Sequence, residues 1–301
     1  MTAKLPNGEK TSDKRPDNFL GIPAEFSSYR NAETVILPLP FDKTCSWLSG
    51  TSRGPRGLIE ASRNLELYDI ETQTEAYRRG IFTAEPIEAV EGAELNRAAY
   101  ERTKELLKDG KFVVSVGGEH SVSYGPIKAH AEKYPHMSVL QLDAHTDLRD
   151  SYEGNPYSHA CIMARAKEMV ERVVAVGIRA MDRSELMNVD SQRIFFAEHL
   201  RLTPNWIDNV LAQLTDEVYI TLDVDVFDIG IMPSTGTPEP GGLGWYDVIT
   251  LLRAVVEHKN VVGFDIVELA PNEANPAPDF MAAKVVYKLL SYREALRESA
   301  V

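Results

Sequence analysis

Four apolar, β-branched runs in this chain end directly in acidic or histidine residues, and this pattern restricts the possible folds more than any other feature. Short continuous apolar runs bounded by glycine and polar clusters are typical of strands that are buried on both faces. Core strands that all end in ionisable groups are unusual unless those groups serve a site, since unpaired buried charge is costly. The runs cover residues 112–116, 137–142, 218–222 and 261–264.

The polar groups that follow these runs are histidines and carboxylates in short clusters. In an open parallel sheet, ligands gather beyond the carboxyl ends of the strands, so we expect the side chains to converge on one crevice. Alternation in an extended segment would turn Asp143, His145 and Asp147 to one side, and likewise Asp223 and Asp225. The six candidate metal ligands are His120, Asp143, His145, Asp147, Asp223 and Asp225.

Two imidazoles and four carboxylates form a ligand set that suits divalent cations. Four carboxylates in one crevice raise each other's pKa, so two divalent ions would balance their charge. The set lacks thiolates and favours Mn²⁺ over a structural zinc. Paired metals about 3.5–4 Å apart can activate one water for attack. The alternative, solvated loop acids and a stray histidine, fits poorly with three clusters that each follow a strand.

The chain resembles the ureohydrolase family of arginases and agmatinases from about residue 35 to about residue 290, and agmatinases most closely. The resemblance implies an arginase-like fold. One departure is Ile229, where the family often has proline after Asp228. The motifs that carry the resemblance are Gly117-Gly118-Glu119-His120-Ser121, Asp143-Ala144-His145-Thr146-Asp147, Asp223-Val224-Asp225-Val226-Phe227-Asp228 and Gly236-Thr237-Pro238-Glu239-Pro240-Gly241-Gly242.

The resemblance also implies a mechanism, in which a hydroxide held between two Mn²⁺ ions attacks the carbon of a guanidinium group. It assigns the first metal to His120, Asp143, Asp147 and Asp223, and the second to Asp143, His145, Asp223 and Asp225. Glu268 would accept the guanidinium, and His159 would move a proton to the leaving amine. With Asp147, these two complete the predicted catalytic residues. A helix-capping or ion-pair role for Glu268 stays open, as does a surface position for His159.

The loop after the Asp-x-His-x-Asp run is predicted to meet the tail of the substrate. Asp150 and Glu153 could bind a distal ammonium through charge-assisted hydrogen bonds, whereas Arg149 could pair with a carboxylate. Asn155 belongs to the same loop. We expect agmatine, which would give putrescine and urea; aminopropylagmatine, guanidinobutyrate and arginine remain alternatives. The alternative is that Asp150 and Glu153 are solvated loop residues with no role in binding.

Length and composition are compatible with one α/β domain. The 301 residues are 44% hydrophobic, and no composition break or glycine/serine-rich linker divides them. Strands alternate with helical stretches at residues 98–107 and 246–256, which favours a three-layer α/β/α fold with a mainly parallel central sheet. We expect residues 1–20 to form a flexible N-terminal arm and residues 21–301 to form the catalytic domain. The glycine- and proline-rich segment 233–244 should be a loop that walls the crevice.

The net charge of −13 disfavours nucleic acid and anionic membranes as partners and suits a small cationic substrate. We find no signal peptide and no apolar run of transmembrane length, so we expect a cytoplasmic enzyme. Cys45 and Cys161 offer no disulfide framework, and Cys161 should be a buried, inert thiol. The resemblance implies a homo-oligomer, a trimer or a hexamer. Surface positions are expected for His130, His136, His199 and His258, and oligomer or scaffold contacts for Arg179.

Three other functions compete with the leading one. Two-metal phosphatases also use aspartate and histidine clusters, but their usual spacings and their Asn or His bracket are absent from this sequence. A deacetylase-type site with one zinc needs fewer ligands than this chain keeps. A non-catalytic binding protein that kept the fold would be expected to lose ligands, and none is lost.

Overall fold

The four apolar runs form four adjacent strands in the middle of one parallel sheet. The computed structural model describes residues 15–298. Its sheet has the strand order β2-β1-β3-β8-β7-β4-β5-β6, and every neighbouring pair is parallel. The strands are β1 (Thr34–Leu39), β2 (Ile81–Thr83), β3 (Phe112–Gly117), β4 (Ser138–Leu142), β5 (Arg172–Ile178), β6 (Ile194–Phe196), β7 (Glu217–Asp223) and β8 (Asn260–Val267).

Helices cover both faces of this sheet, which confirms the predicted three-layer α/β/α fold. On one face α2 and α8 pack against α9, and on the other α3 packs against α4. The predicted helical stretches at 98–107 and 246–256 lie within α3 and α8. The α-helices are α1 (Ala24–Ser27), α2 (Gly54–Ser62), α3 (Gly92–Lys108), α4 (Tyr124–Lys133), α5 (Ile162–Ala166), α6 (Ala197–Leu200), α7 (Trp206–Gln213), α8 (Trp245–His258) and α9 (Ala277–Glu298).

The central strands are buried along almost their whole length because helices shield them from both sides. Every residue of β3 and β4 is buried, and only the first residue of β7 and of β8 is not. Burying one large aliphatic side chain contributes about 1.5–3 kcal/mol, so these strands form a rigid base for whatever follows them. The carboxyl ends of β3, β8, β7 and β4 therefore lie side by side at one edge, where the sequence places the acids and histidines.

The predicted N-terminal arm, residues 1–20, lies mostly outside the described residues. Residues 15–20 are described, and the last two belong to the core: Phe19 is fully buried and Leu20 is 4% exposed. The Leu20 amide also donates to Ser62 Oγ at 2.8 Å. The packed part of the chain thus begins before residue 21, the boundary that the sequence suggested.

His130 corrects another expectation, because it is fully buried in α4 rather than at the surface. Its Nδ1 donates to the Pro126 carbonyl at 2.8 Å, and its ring centroid lies 4.8 Å from that of Tyr219. Gly263 in β8 makes the room, since a Cβ there would lie 2.4 Å from His130 Nε2. Burial lowers the pKa of His130 to about 4, so the ring is neutral near pH 7. His136, His199 and His258 are exposed, as predicted.

Within residues 15–298, none of the helices combines the length and the apolar character that crossing a membrane would require.

Candidate metal centre and active site

The turn after β3 places His120 opposite the acids that follow β4 and β7. Its Nδ1 lies 3.1 Å from Asp143 Oδ2, 3.0 Å from Asp147 Oδ2 and 3.6 Å from Asp223 Oδ2. His120 and Asp143 are at most 1% exposed. Side chains that come from three strands therefore converge on one buried imidazole nitrogen.

A second group of ligand-type atoms lies beside the first and shares Asp143 with it. His145 Nδ1 is 2.9 Å from Asp225 Oδ2 and 3.6 Å from Asp143 Oδ1. In each group the potential ligand atoms lie close enough together to hold one cation, and Asp143 offers one carboxylate oxygen to each. Five of the six predicted ligands belong to these two groups. The sixth, Asp223, which was predicted to bridge the metals together with Asp143, belongs to neither group, although its Oδ2 lies 3.6 Å from His120 Nδ1.

The backbone reaches this arrangement by tight turns rather than by the extended alternation that the sequence suggested. Residues Val224–Val226 form a 3-10 turn, in which Asp223 Oδ1 accepts the Asp225 amide at 2.9 Å. Asp225 Oδ1 in turn accepts the Ala144 amide at 2.9 Å and so ties the turn after β7 to the turn after β4. Asp147 has a positive φ of 52°, a strained conformation that is found mainly where a site requires it.

A buried hydrogen-bond chain fixes which nitrogen of His120 carries a proton. Thr221 Oγ1 donates its single proton to Asp265 Oδ1 at 2.7 Å. It can therefore only accept from His120 Nε2, which lies 2.8 Å away. The neutral ring then presents its Nδ1 lone pair to the facing carboxylates, and Nδ1 has no hydrogen-bond partner among residues 15–298. Burial lowers the pKa of His120, but Asp143 and Asp147 outweigh it and raise that pKa well above its usual value. The position between Nδ1 and the two carboxylates, 3.0–3.1 Å apart, therefore attracts positive charge, and a divalent metal fits these residues.

The electrostatics of the cluster point the same way. Burial, together with the charge of Asp143, raises the pKa of Asp147 to about 6. Burial and the neighbouring Asp225 and Asp143 raise the pKa of Asp223 well above its usual value. Burial lowers the pKa of His145, but Asp225 and Asp143 outweigh it and raise that pKa to about 12. These three shifts show that the cluster attracts positive charge, which divalent cations would supply.

Glu268 lies at the end of β8 and forms part of the wall next to the cluster. It is 7% exposed and has a positive φ of 65°. Its Oε1 accepts the His120 amide at 2.7 Å, and its own amide donates to the Gly118 carbonyl at 2.7 Å. Burial and the charge of Glu119 raise the pKa of Glu268 well above its usual value. A carboxylate fixed in this position can accept hydrogen bonds from a planar cation.

His159 opens the short 3-10 helix His159–Cys161 on the other side of the same cavity. Its Nδ1 lies 3.2 Å from Thr44 Oγ1 and 3.3 Å from Ser158 Oγ, and its backbone amide donates to Thr44 Oγ1 at 3.0 Å. Burial lowers its pKa, which favours a neutral ring at pH 7. The structure gives His159 no place in either metal-ligand group.

A cavity of about 260 Å³ lies above the cluster, and its lining shows which predicted residues face a ligand. Of the predicted ligand and catalytic residues, all but Asp143 and Asp225 line it. The glycine- and proline-rich loop contributes to the wall, as predicted. The lining includes His120, His145, Asp147, Arg149, Tyr152, His159, Asp182, Glu185, Asp223, Gly236, Thr237, Glu239, Glu268 and the stretch from Cys45 to Leu48.

Three residues that were predicted to meet the substrate tail do not line this cavity. Asp150 Oδ1 accepts from Asn188 Nδ2 at 3.4 Å, and Asn155 Oδ1 accepts the Tyr157 amide at 2.9 Å. Glu153 is exposed in a tight turn with a φ of 50°. Local turn formation thus uses these side chains or directs them to solvent, and of the predicted set only Arg149 reaches the cavity.

The acids that do line the mouth come from other segments, and sequence reasoning missed them. Glu185 Oε1 lies 3.6 Å from Arg149 Nε, and Asp182 Oδ2 lies 3.8 Å from Arg149 Nη2. Glu239 belongs to the glycine- and proline-rich loop. A signal existed for Asp182 and Glu185, because they follow β5 just as the other site residues follow their strands.

Two further expectations are confirmed near the site. Arg179 makes scaffold contacts: its Nη2 donates to the carbonyls of Asp225 at 2.6 Å and of Glu239 at 2.8 Å. It thereby ties the glycine- and proline-rich loop to the turn after β7. Cys161 is fully buried, and burial raises the pKa of its thiol to about 11, so it is a poor nucleophile.

Comparison with known proteins gives consistent matches over nearly the whole chain. The model of the arginase family matches residues 32–291. The chain is 36% identical to an N(1)-aminopropylagmatine ureohydrolase of a Synechocystis species, over 92% of this chain and 96% of the relative. It is 34% identical to an agmatinase of Pyrococcus horikoshii, over 87% and 92%. The solved structure of agmatine ureohydrolase from Thermoplasma volcanium aligns with a TM-score of 0.86 and 28% identity, covering 95% of this chain and 97% of that one.

Proposed function

The chain belongs to the arginase family, and we propose that it is a two-Mn²⁺ enzyme that hydrolyses agmatine to putrescine and urea. The observation that carries the proposal is the pair of ligand groups that share Asp143 at the base of a cavity walled by Glu268 and His159. The proposed ligands are those of the sequence analysis: His120, Asp143, His145, Asp147, Asp223 and Asp225. When bound, two divalent cations lower the pKa of water and so supply a hydroxide near neutral pH.

The chain's own residues would bind and orient the guanidinium. Glu268 offers a buried carboxylate whose position is fixed by the His120 amide, and a carboxylate can accept two parallel N–H bonds from a planar guanidinium. Hydrolysis transfers the oxygen of water to the guanidinium carbon and breaks the bond to the substituted nitrogen. Both protons of that water end on the leaving nitrogen, which departs as an ammonium. His159, neutral and outside the ligand groups, would deliver one of them.

The charges at the mouth favour an amine tail over a carboxylate tail. Asp182, Glu185 and Glu239 line the cavity with a single cation, Arg149, among the described lining residues. Arg149 lies within 4 Å of both Asp182 and Glu185, so its charge is already balanced locally. An ammonium that enters this mouth would meet surplus negative charge, and the net charge of −13 would add to its attraction.

Aminopropylagmatine is the second candidate, because it carries the same guanidinium on a longer tail with two amines. The Synechocystis relative is named for this activity, and the mouth extends from Glu185 to the 69%-exposed Trp47. Comparing kcat/KM for agmatine, aminopropylagmatine, guanidinobutyrate and arginine, scored by urea release, decides between the candidates. We expect both amine-tailed compounds to exceed the other two at least tenfold. A tenfold preference for arginine or guanidinobutyrate would overturn the assignment, and phosphate release from phosphoesters without urea release would favour a phosphatase.

A further inference from the structure

Glu119 is a fully buried carboxylate beside the site, and it belongs to neither metal-ligand group. Its Oε1 accepts from Thr44 Oγ1 at 2.6 Å and from Ser121 Oγ, while its Oε2 accepts the Thr44 amide at 2.6 Å. The Cys45 thiol lies 3.8 Å from Oε2, and burial and the charge of Glu268 raise the pKa of that thiol to about 12, which keeps it a donor. Four donors thus occupy an acceptor-only carboxylate.

The Thr44 hydroxyl connects this carboxylate to His159. A hydroxyl has one proton to donate, and Thr44 donates it to Glu119. Its remaining lone pairs accept the His159 backbone amide at 3.0 Å and face His159 Nδ1 at 3.2 Å. This contact favours a proton on Nδ1 of a neutral His159, and the Ser158 hydroxyl, 3.3 Å from Nδ1, can accept from the same proton. Nε2 is then the basic nitrogen of the ring.

The same contacts join two walls of the cavity. The Glu119 amide donates to the Phe41 carbonyl at 2.8 Å, which places the turn after β3 against the segment that follows β1. That segment supplies Thr44 and the cavity-lining stretch from Cys45 to Leu48. The His159 side of the cavity is then attached to this segment through the Thr44 hydroxyl.

We propose that Glu119, acting through the Thr44 hydroxyl, is a positioning residue that holds His159 in the Nδ1–H tautomer with Nε2 free to exchange a proton with the leaving amine. The inference deepens the proposed function and rests on it for the role of His159. Its structural part, the tautomer, stands apart from any activity. In each turnover Nε2 takes up one proton that derives from the attacking water and passes it to the departing nitrogen, so the ring returns to its starting state.

We call the hydrogen-bonded connection from Glu119 through Thr44 to His159 the relay. Two variants disrupt it while they keep the shape of the site. Thr44→Val removes the hydroxyl, and Glu119→Gln brings an amide N–H₂ toward Thr44, which frees the hydroxyl to donate to Nδ1 and so favours the opposite tautomer. We expect either change to lower kcat for the best guanidino substrate about 10- to 100-fold with KM within about threefold, because the proton path fails while binding remains. Thr44→Ser keeps the hydroxyl and should recover most of kcat.

A matched control and a double variant separate positioning from general damage. Thr103→Val removes a buried threonine hydroxyl in α3 that has no hydrogen-bond partner among the described residues, so it should leave kcat within twofold. Thr44→Val combined with His159→Ala should be no slower than His159→Ala alone, since both act through one ring. If the losses in kcat of the two single variants multiply in the double variant, the proposal is overturned. Loss of bound metal in Thr44→Val would overturn it as well.

The tautomer itself is tested without turnover. Long-range ¹H–¹⁵N spectra of histidine-labelled protein, loaded with diamagnetic Mg²⁺ or Zn²⁺ and assigned by loss of signal in His159→Ala, report which ring nitrogen carries the proton. We expect Nδ1–H in the wild type and a shift toward Nε2–H in Glu119→Gln. An Nε2–H wild type, or an unchanged spectrum in Glu119→Gln, would overturn the relay even if urea is released. Absence of urea release with the expected spectra would count against the proposed function alone.

Discussion

A threonine hydroxyl decides which nitrogen of His120 faces the carboxylates. Thr221 donates to the buried Asp265, and Tyr219 donates to the other oxygen of the same carboxylate at 2.7 Å. The hydroxyl can then only accept from His120 Nε2, so Nδ1 keeps its lone pair for a cation. Partners behind a metal ligand fix both its orientation and its protonation, and their loss weakens metal binding.

Replacing Thr221 by valine should therefore weaken Mn²⁺ binding about 10- to 100-fold, because His120 loses the acceptor that selects its tautomer. Titration of the metal-free protein by calorimetry, or competition with a chelator, measures the change without reference to turnover. Thr221→Ser is the matched variant, since it keeps the hydroxyl, and its affinity should stay near the wild-type value. Equal affinities for all three proteins would show that the hydroxyl does not set the ligand.

His159→Ala should leave the metal content unchanged and lower the rate about 10²- to 10⁴-fold, as expected for loss of a general acid. Glu268→Gln should also keep its metals, but it should raise KM for the guanidino substrate, because a charge-assisted acceptor becomes a neutral amide. Elemental analysis beside steady-state kinetics checks both. A His159→Ala protein that purifies without metal would mean that His159 is a ligand after all.

The sequence reveals the site residues that lie next to a strand end and misses those whose role depends on a distant partner. His120, Asp143 and Asp223 follow apolar runs, so parallel-sheet geometry predicts that they meet. Thr44 and Asp265 gain their importance from partners 75 and 44 residues away. No local pattern encodes those distances, which is why these two residues were missed.

At the scale of elements, close backbone contact brings the turn after β3 against the segment after β1. A Cβ built on Gly118 would lie 2.0 Å from the Phe41 carbonyl oxygen, a contact that only backbone movement can relieve. Gly118→Ala should destabilise the protein on the order of 3 kcal/mol, since overpacking against backbone cannot be absorbed by a rotamer change. Because this contact also aligns Glu119 with Thr44, the variant should lower kcat as well.

Denaturant unfolding of Gly118→Ala measures the loss. Gly110→Ala is the comparison: its φ is 75°, but nothing lies within 4 Å of the added Cβ. It should cost only about 1–2 kcal/mol, which is the usual strain of a left-handed backbone conformation. If both variants lose the same free energy, the close approach at Phe41 is not the cause.

The contact between α4 and β8 contains a histidine that should make stability depend on pH. Burial lowers the pKa of His130 to about 4, and the nearby charge of Lys133 also lowers it, against an unfolded value near 6.5. Between these values the unfolded chain binds more protons. The contribution of the neutral His130 to stability is therefore fully present above pH 6.5. It is lost as the pH falls toward 4, by about 3 kcal/mol over the whole interval.

Comparing wild type with His130→Gln isolates this contribution. The free energy of unfolding of the wild type, relative to the variant, should fall as the pH is lowered from 7 to 4. His136→Gln makes the same substitution at an exposed position and controls for the change of residue type. A His130→Gln difference that stays constant between pH 4 and 7 would contradict a buried neutral ring.

The elements themselves were largely predictable, because the hydrophobic pattern has the same cause in sequence and structure. The run at 218–222 is a strand whose two faces are both covered, and every residue of β7 except the first is indeed buried. What failed was the assumption that strand geometry continues past the strand end. Asp223 and Asp225 meet through a 3-10 turn that side-chain bonds to backbone amides create, and such bonds leave no periodic signal.

For the whole molecule, the proposed metal ligands lie at the ends of the central strands, so a metal that binds only the folded state should stabilise all of it. At a concentration of 100 Kd, each independent site adds about 2.7 kcal/mol. Two sites would add about 5 kcal/mol, and at about 2 °C per kcal/mol for a large domain the melting temperature should rise by about 10 °C. Thermal melts in Mn²⁺ and in EDTA measure this rise.

Asp143 allows a sharp version of that experiment, because its carboxylate belongs to both ligand groups. Asp143→Asn should lose most of the Mn²⁺-dependent rise in melting temperature, since neither group keeps its full negative charge. Asp228→Asn changes an aspartate of the Asp-x-Asp-x-x-Asp segment that belongs to neither group and accepts the amides of Gly230 and Gly241. The Mn²⁺-dependent rise in the melting temperature of Asp228→Asn should match that of the wild type, even if its melting temperature without metal is lower. Equal rises in the two variants would mean that Mn²⁺ stabilises the fold from somewhere other than the strand ends.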